Sequence, residues 1–313
     1  EIYQCDWSSD VCSSDLAPQL FLKESFNSES KTMTTSTQQF DSKKVNVYGH
    51  ITSLLFKFTT TITKGTGTID TTASVLDAFG QITIRDKNSR PIIDEDSSRL
   101  PITRKILSLA DTPQWQTFKK GEYDAGSALT DTASAQVHSM EIPIDVNLED
   151  QPISIEWVAG VLSDVLSTVG TASATCQLQV VVSSIVPVGE SANLATRETR
   201  RIYSFTRGAL ATEQEIQGDL PTGITIDNVT LGVTTDSNLT DVTLKPTGKN
   251  IGLDRLNRTA IEAKENRAFF DGHTSGYHTL CIAPFVVGDS TVFKINPSTS
   301  FTPRLFIVHR GVR

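Results

Sequence analysis

Apolar and polar residues alternate along most of the chain from Val45 onward, which is the pattern of half-buried β-strands. In Gln136–Val146, for example, His138, Met140 and Ile142 share one parity, and more polar residues occupy the other. Turns rich in Gly, Asn, Asp and Ser separate such runs and favour antiparallel connections. The main predicted strand regions are Val45–Thr63, Ile69–Ile84 (a pair of strands), Gln136–Val146, Ile153–Trp157, Ala174–Val186, Arg201–Phe205, Glu213–Gln217, Ile224–Thr234, Thr240–Leu244, Tyr277–Phe285, Thr291–Ile295 and Arg304–Val308.

Two segments follow helical spacing instead. In Val158–Leu166, valine and leucine recur at intervals of three and four residues, which predicts a short helix. Leu253–Arg267 has the clearest helical pattern, because Leu253, Leu256 and Ala260 form one stripe on a charged background. Each predicted helix lies late in its half of the chain.

The two halves share a layout of many short strands, one late helix and closing strands. We therefore predict an all-β fold of two tandem jelly-roll (β-sandwich) domains, each with a short helix between late strands. Residues 45–189 form the first jelly roll, 190–200 a connector and 201–313 the second jelly roll. Residues 17–44 are polar and lack periodicity, so we expect a flexible N-terminal arm.

The first residues have a different character. Asp6–Leu16 resembles a sequencing adapter translated in frame, so we interpret Glu1–Leu16 as a library artefact of a metagenomic assembly and exclude it from fold reasoning. Met33, the first Met of the chain, is a candidate for the authentic start, and a start upstream of it stays open. Without the four acids of that segment, the net charge changes from −8 to −4. Cys176 and Cys281 then remain, both in apolar runs that favour buried free thiols.

Composition excludes several function classes. The net negative charge disfavours general nucleic-acid binding through a basic surface. No run approaches the roughly 18 consecutive apolar residues of a membrane-spanning helix. The sequence also lacks the GxSxG, HExxH and GxxxxGK[ST] motifs. It therefore predicts that the chain is not an enzyme and has no catalytic residue and no cofactor.

Two groups of residues carry metal-ligand chemistry. His273 and His278 flank a glycine-containing turn, and a metal site there is one interpretation. Two solvated loop histidines are favoured, because no Cys or carboxylate stands beside them in sequence. Asp94, Glu95 and Asp96 could contribute to a calcium site, but the EF-hand spacing and its glycine are missing, which favours a solvated acidic loop. No metal-binding residue is therefore predicted.

Two long segments together resemble a known family. Val47–Ile92 combines an extended strand, a Gly/Thr turn and a strand that ends in an Asp86–Arg90 turn. Leu253–Gly311 combines a charged helix, a Phe- and Gly-containing turn, a strand, an Asn-Pro turn and an aromatic-rich closing strand. This order is similar to that of the double jelly-roll major capsid proteins of tailless icosahedral bacterial viruses, of the tectivirus, corticovirus and finnlakevirus type. The resemblance spans Val45–Arg313.

The resemblance implies a structural function. Members of this family form homotrimeric, pseudo-hexameric capsomers that tile an icosahedral shell. The implied partners are neighbouring capsomers, penton and minor capsid proteins and, in some members, an internal lipid membrane, without specific nucleic-acid recognition. The implied location is the virion, after assembly in the host cytoplasm.

Two other functions stay open on the residues alone. A tandem β-sandwich that binds carbohydrate, as in a surface or tail-fibre protein, would present clustered aromatic rings or a calcium-binding acidic set. Trp115 and Trp157 are candidate sugar platforms, although core packing is favoured for Trp157. A jelly-roll enzyme with a metal ion would need two histidines and a carboxylate on adjacent strands, and the sequence has no H-x-D or H-x-E pair.

Overall fold

The structure is a computed structural model that describes residues 19–36, 38–39, 43–109, 123–187, 198–216, 220, 222–246, 253–281 and 283–311. Within these residues, no helix is long and apolar enough to cross a membrane. The two α-helices of the described residues are α1 (Leu100–Leu107) and α2 (Arg258–Ala268). The strands are β1 (Gln19–Asn27), β2 (Lys31–Thr32), β3 (Gln38–Gln39), β4 (Lys43–Val45), β5 (His50–Thr63), β6 (Thr68–Ile69), β7 (Phe79–Arg85), β8 (Pro91–Asp96), β9 (Ala135–Val146), β10 (Ile153–Ala159), β11 (Leu166–Thr168), β12 (Ser173–Pro187), β13 (Arg200–Thr206), β14 (Gln214–Glu215), β15 (Thr225–Gly232), β16 (Leu239–Lys245), β17 (Leu253–Asn257), β18 (Tyr277–Leu280), β19 (Phe285–Val286), β20 (Val292–Pro297) and β21 (Arg304–Arg310).

The chain forms two compact units. The first comprises the described residues of Glu1–Arg90 and Gly126–Thr199, and the second those of Pro91–Ala125 and Arg200–Arg313. The sequence-based boundary differs from this division, because it assigned Pro91–Ala125 to the first domain. That segment contributes β8, which lies beside β13, and α1, which lies beside β21. These contacts between distant parts of the sequence leave no local signal. Of the predicted connector, 190–197 lies outside the described residues.

The first unit is a β-sandwich. One sheet has the antiparallel order β1-β12-β5-β9, and β2 also pairs with β12. In the other sheet, β10 pairs with β7 on one edge and with β3 and β4 on the opposite edge. The alternating residues of β5 and β10 point into the space between the sheets, where the Phe58 ring meets the Phe79 ring edge-on at a centroid distance of 5.0 Å. Phe79 in turn packs against Trp157 of β10.

The second unit repeats this architecture. Its first sheet has the order β13-β21-β15-β18, with β19 also paired to β15, and its second has the order β14-β20-β16-β17. Apolar side chains from both sheets fill the core, together with Ile261 of α2. The fully buried members include Ile226, Val229, Leu231, Val242, Leu244, Phe293, Ile295, Leu305 and Ile307. The predicted all-β fold of two sandwich domains is therefore confirmed.

The flexible arm predicted for residues 17–44 is wrong for the part that the structure describes. β1 pairs antiparallel with β12 along all nine of its residues, from Gln19↔Pro187 to Asn27↔Gln179. Most described side chains of β1 are exposed, so backbone hydrogen bonds hold this edge strand. It therefore shows none of the alternation that reveals a half-buried strand. Met33 is buried beyond it, at 2% exposure.

The helix predicted over Val158–Leu166 is also wrong. β10 continues to Ala159, and only Leu162–Asp164 winds, as a single 3-10 turn. Gly160 separates the two, and a Cβ there would lie 2.7 Å from the carbonyl oxygen of Asp77. Close backbone approach, which only glycine permits, sets this corner, and the helix-like spacing of valines is coincidental.

The second predicted helix begins later than expected, at Arg258. Leu253–Asn257 is strand β17, paired with β16, and Asn257 caps the helix by accepting a hydrogen bond from the Ala260 N–H through Oδ1 at 2.8 Å. Leu256 therefore lies on a strand and is only partly buried. The buried face of the helix consists of Ile261 and Glu265.

The role of α2 in the core can be tested at Ile261, which is fully buried. We expect Ile261→Ala to lower the free energy of unfolding by about 2–5 kcal/mol, because it removes apolar contacts and leaves a cavity. Thr259→Ala, at an exposed position of the same helix, is the matched control and should change stability by less than about 0.5 kcal/mol. Chemical denaturation followed by circular dichroism measures both. Equal effects of the two substitutions would show that α2 does not pack on the core.

Candidate functional site

Four ionisable side chains meet at one end of α2 in the second unit. Glu265 comes from the buried face of α2, and His273 from the loop that follows it. His278 lies in β18, which pairs with β15. Asp236 lies in the 3-10 turn Asp236–Asn238, which follows β15. The fold therefore gathers residues that lie up to 42 positions apart.

The distances within this His–Asp–Glu cluster are short. His273 Nδ1 lies 2.6 Å from Glu265 Oε2, and Glu265 Oε1 accepts a 2.6 Å hydrogen bond from the backbone N–H of Thr279. His273 Nε2 lies 3.4 Å from Asp236 Oδ2, and His278 Nε2 lies 3.4 Å from Asp236 Oδ1. The two imidazole rings stack with a centroid distance of 5.1 Å and an interplanar angle of 20°.

The environment sets the protonation of the cluster. Burial, reinforced by the neighbouring His273, lowers the pKa of His278 to about 4, so this imidazole is neutral at pH 7. Burial raises the pKa of Glu265, and the hydrogen bonds from Thr279 and His273 offset only part of that effect. Burial also raises the pKa of Asp236. Hydrogen bonds from the Gly276 N–H and the Ser275 hydroxyl, together with the nearby His273, lower it further than burial raises it, so the pKa lies below its usual range.

The structure overturns the favoured interpretation of His273 and His278 as solvated loop residues. His278 is fully buried and in a strand, and two carboxylates stand beside the pair. Glu265 precedes His273 by only eight residues, so the sequence could have indicated it as a neighbour. Asp236 lies 37 residues before His273, and nothing in the sequence indicates that the two are close. Neutral imidazole nitrogens with a carboxylate are a donor set that binds transition metals.

A second polar centre of this unit surrounds Lys105 of α1. Its side chain is 1% exposed, and Nζ lies 2.7 Å from Asp271 Oδ1. Nζ also donates to the carbonyl oxygen of Gly272 at 2.6 Å and to the hydroxyl of Thr274 at 2.5 Å, and it lies 4.6 Å from the centre of the Phe269 ring. A buried ammonium so fully bonded serves to hold the loop after α2 in place.

The acidic residues Asp94, Glu95 and Asp96 form no solvated loop. They lie in β8, and Glu95 is buried at 1% exposure. Its Oε2 accepts a 3.2 Å hydrogen bond from Nη2 of Arg304, while Asp96 caps the 3-10 turn that follows. Because Glu95 and Asp96 serve different local roles, the structure does not support a calcium site here.

Two arginines, the buried Arg200 and the partly exposed Arg310, contact one carboxylate on the first sheet of this unit. Arg310 Nε donates to Asp227 Oδ2 at 2.7 Å, and Arg200 Nε lies 3.6 Å from the same oxygen. His309 lies beside this group, in β21, opposite Arg201 in β13. Burial, with a further contribution from Arg201, lowers the pKa of His309 to about 4, and Asp227 opposes the shift.

Of the remaining candidates, Trp157 and Cys176 are core residues, and Cys281 is half-buried. Trp157 is 4% exposed and packs against Phe79, although it also borders a cleft of about 250 Å³ in the first unit. Trp115 lies outside the described residues. Cys176 and Cys281 are free thiols, and burial raises their pKa values to about 12 and about 11. Neither is therefore a thiolate at neutral pH.

Comparison with known proteins identifies the fold. No protein-family model matches the chain, and no curated protein matches it by sequence. Among solved structures, the chain is similar to the major capsid protein of STIV, with a TM-score of 0.65 and 11% identity over 92% of this chain and 96% of the other. It is also similar to the major capsid protein P2 of bacteriophage PM2, with a TM-score of 0.52 and 12% identity over 93% and 98%. For the Faustovirus major capsid protein, the TM-score is 0.53 and the identity 7% over 98% and 92%.

These likenesses extend over both units and nearly the full length of each protein compared. At identities of 7–12% they establish architecture rather than activity. The chain therefore has the double jelly-roll fold, the fold of these viral major capsid proteins.

Titration of His309 makes the stability of the second unit depend on pH. Its folded pKa of about 4 lies below the ordinary value of 6.5, so the unfolded chain binds more protons between these values. The free energy of unfolding should therefore fall as pH decreases from 6.5 to 4. We expect His309→Gln to show a shallower fall than the parent chain in denaturation series across this window. Parallel pH profiles of the two would contradict the assignment of a neutral, half-buried His309.

Proposed function

We propose that this chain is a major capsid protein that forms homotrimeric, pseudo-hexameric capsomers of an icosahedral virus shell. The observation that carries the proposal is the end-to-end correspondence with viral major capsid proteins, which reaches a TM-score of 0.65 over 92% of this chain. A likeness to one domain alone would fit many β-sandwich proteins, whereas this one includes the tandem arrangement.

The tandem arrangement has a geometric consequence. Each chain supplies two β-sandwiches, so three chains supply six similar lobes and form a tile of near-hexagonal outline. An obligate trimer of this kind buries more than about 2,000 Å² per interface, with an apolar centre. The described residues leave six large apolar side chains exposed on the single chain, which a trimer would partly cover. They are Tyr48, Val137, Leu148, Tyr203, Phe270 and Val286.

The partners follow from that assembly. They are neighbouring capsomers, penton and minor capsid proteins and, in a virus that has one, an internal lipid membrane. The protein belongs to the virion and assembles in the host cytoplasm, and it recognises no specific nucleic-acid sequence. A tailless bacterial virus of the tectivirus, corticovirus or finnlakevirus type is the proposed source. In this function the chain acts as a building block and not as an enzyme.

The carbohydrate-binding alternative has less support. Trp157 is packed in a core, and Glu95 and Asp96 have separate structural roles. The two features that would favour a sugar-binding surface, a platform of open rings and a calcium-binding acidic set, therefore find no support in these residues.

Mass in solution tests the proposal. The full chain weighs 34.1 kDa, and we expect multi-angle light scattering to give about three times that mass at micromolar concentration, unchanged by tenfold dilution. Obligate interfaces of this size resist dilution because apolar burial is extensive. A stable monomer, above all one retained on a sugar column, would contradict the capsomer and favour the binding protein.

A matched pair of substitutions then probes the interface. Val137 and Ser139 are both exposed and lie on the same face of β9. If the trimer covers this face at Val137, Val137→Asp lowers the mass toward that of one chain, because a buried charge without a partner is costly. Ser139→Asp, which replaces a side chain that is already polar, distinguishes that effect from added charge alone. The same substitution at the other five exposed apolar residues extends the map.

A further inference from the structure

His278 is a buried polar side chain whose hydrogen-bonding capacity is unused among the described residues. It is 0% exposed, and neither of its ring nitrogens has a hydrogen-bond partner among the described residues. Its Nε2 faces the Asp236 carboxylate at 3.4 Å without a directed hydrogen bond. Buried polar groups in native proteins are nearly always bonded, so an unpaired imidazole that faces a carboxylate indicates a missing partner.

His273 also directs a ring nitrogen, Nε2, toward the Asp236 carboxylate. A carboxylate of Glu265 can only accept, so the 2.6 Å contact places the proton of His273 on Nδ1. His273 Nε2 has no hydrogen-bond partner among the described residues and faces Asp236 Oδ2 at 3.4 Å, and in the neutral ring with its proton on Nδ1 it offers its lone pair to a cation. A cation bound between these two atoms would interact favourably with both.

The spacing of these atoms fits one metal ion. One donor atom from each of Asp236, His273 and His278 lies within 4.8 Å of the other two. Zinc holds nitrogen and oxygen ligands at about 2.0–2.1 Å in tetrahedral geometry, which places neighbouring ligand atoms about 3.3–3.4 Å apart. The two nitrogen–oxygen distances are 3.4 Å each, one to either oxygen of Asp236, so the carboxylate lies within ligand spacing of both imidazoles.

Supporting hydrogen bonds orient the donors as in known zinc sites. Glu265 holds His273 from behind, the carboxylate–histidine arrangement that fixes the ring and raises its basicity. The Asp236 carboxylate accepts from the Gly276 N–H at 2.7 Å and from the Ser275 hydroxyl at 2.9 Å. Each carboxylate oxygen keeps a second lone pair, so these bonds position Asp236 without using up its donor capacity.

We propose that Asp236, His273 and His278 bind one Zn²⁺ ion, with Glu265 as the positioning residue. Three protein ligands leave the fourth position to a water molecule, which reaches the site past the partly exposed Asp236 carboxylate. The ion links the turn after β15 to the loop between α2 and β18. It stabilises the second unit. This proposal differs from the sequence-based interpretation, which assigned no metal ion to these histidines.

The donor set also predicts selectivity. Two imidazoles suit zinc and its transition-metal neighbours, whereas Mg²⁺ and Ca²⁺ prefer shells of oxygen ligands. A ligand that binds only the folded state raises the unfolding midpoint with its concentration. Zinc should therefore stabilise the protein, and the hard cations should not.

The test uses the full chain without a histidine tag, stripped with a chelator and dialysed. We expect calorimetric titration with Zn²⁺ to give one site per chain and thermal unfolding to shift upward with Zn²⁺ but not with Mg²⁺ or Ca²⁺. Asp236→Asn and His273→Asn should each weaken binding by more than roughly 100-fold, since each removes a ligand, and Glu265→Gln by about 10–100-fold, since it removes a supporting group.

Two controls separate the site from general effects of charge and of histidine. Asp241→Asn removes a carboxylate of β16 in the same unit, and His50→Gln removes a buried histidine that pairs with one carboxylate, Asp145. Both should keep one zinc site of parental affinity. Circular dichroism of the metal-free variants verifies folding. Absence of stoichiometric zinc binding by the parent chain, or equal affinity in folded Asp236→Asn, would overturn the proposal, whatever the oligomeric state.

Discussion

Each sheet in this protein has an apolar face that water must not reach, and this constraint determines the rest of the structure. A strand that alternates apolar and polar residues buries only one face, so a single sheet is not stable alone and must pack against another. In the first unit, Phe58 from one sheet meets Phe79 from the other. In the second unit, Val242 and Ile307 come from opposite sheets and belong to one core. Two sandwiches in one chain are the result, and loops, helices and buried charges are arranged around them.

Strands with one buried face could be predicted from the sequence. β5 and β12 are long and alternate clearly, so their existence and the all-β class could be predicted. β1 could not, because it lies at a sheet edge, is held by backbone bonds, and most of its described side chains are exposed. α1 was not predicted, because eight residues are too few to show a helical period and its charged residue Lys105 is buried with the apolar ones. The start of α2 depends on a single cap, Asn257, which an apolar stripe does not reveal.

The polar centres were harder to predict than the fold, since they depend on contacts between distant residues. Histidines were visible in the sequence, but Asp236 reaches them only through the pairing of β15 with β18. Lys105 likewise finds Asp271 across 166 positions of sequence. Glu265 lies on the buried face of α2, where a charged residue weakens the amphipathic pattern. There it contacts His273 Nδ1 and accepts a hydrogen bond from the Thr279 N–H.

In the proposed function, the two sandwiches of one chain form one third of a pseudo-hexameric capsid building block. Electron cryo-microscopy of the purified full chain tests this claim most directly, because it resolves both the lobes and their symmetry. We expect particles with threefold symmetry and six β-sandwich lobes, two from each chain. Particles of a single chain, or a symmetry that does not bring six lobes into one ring, would contradict it.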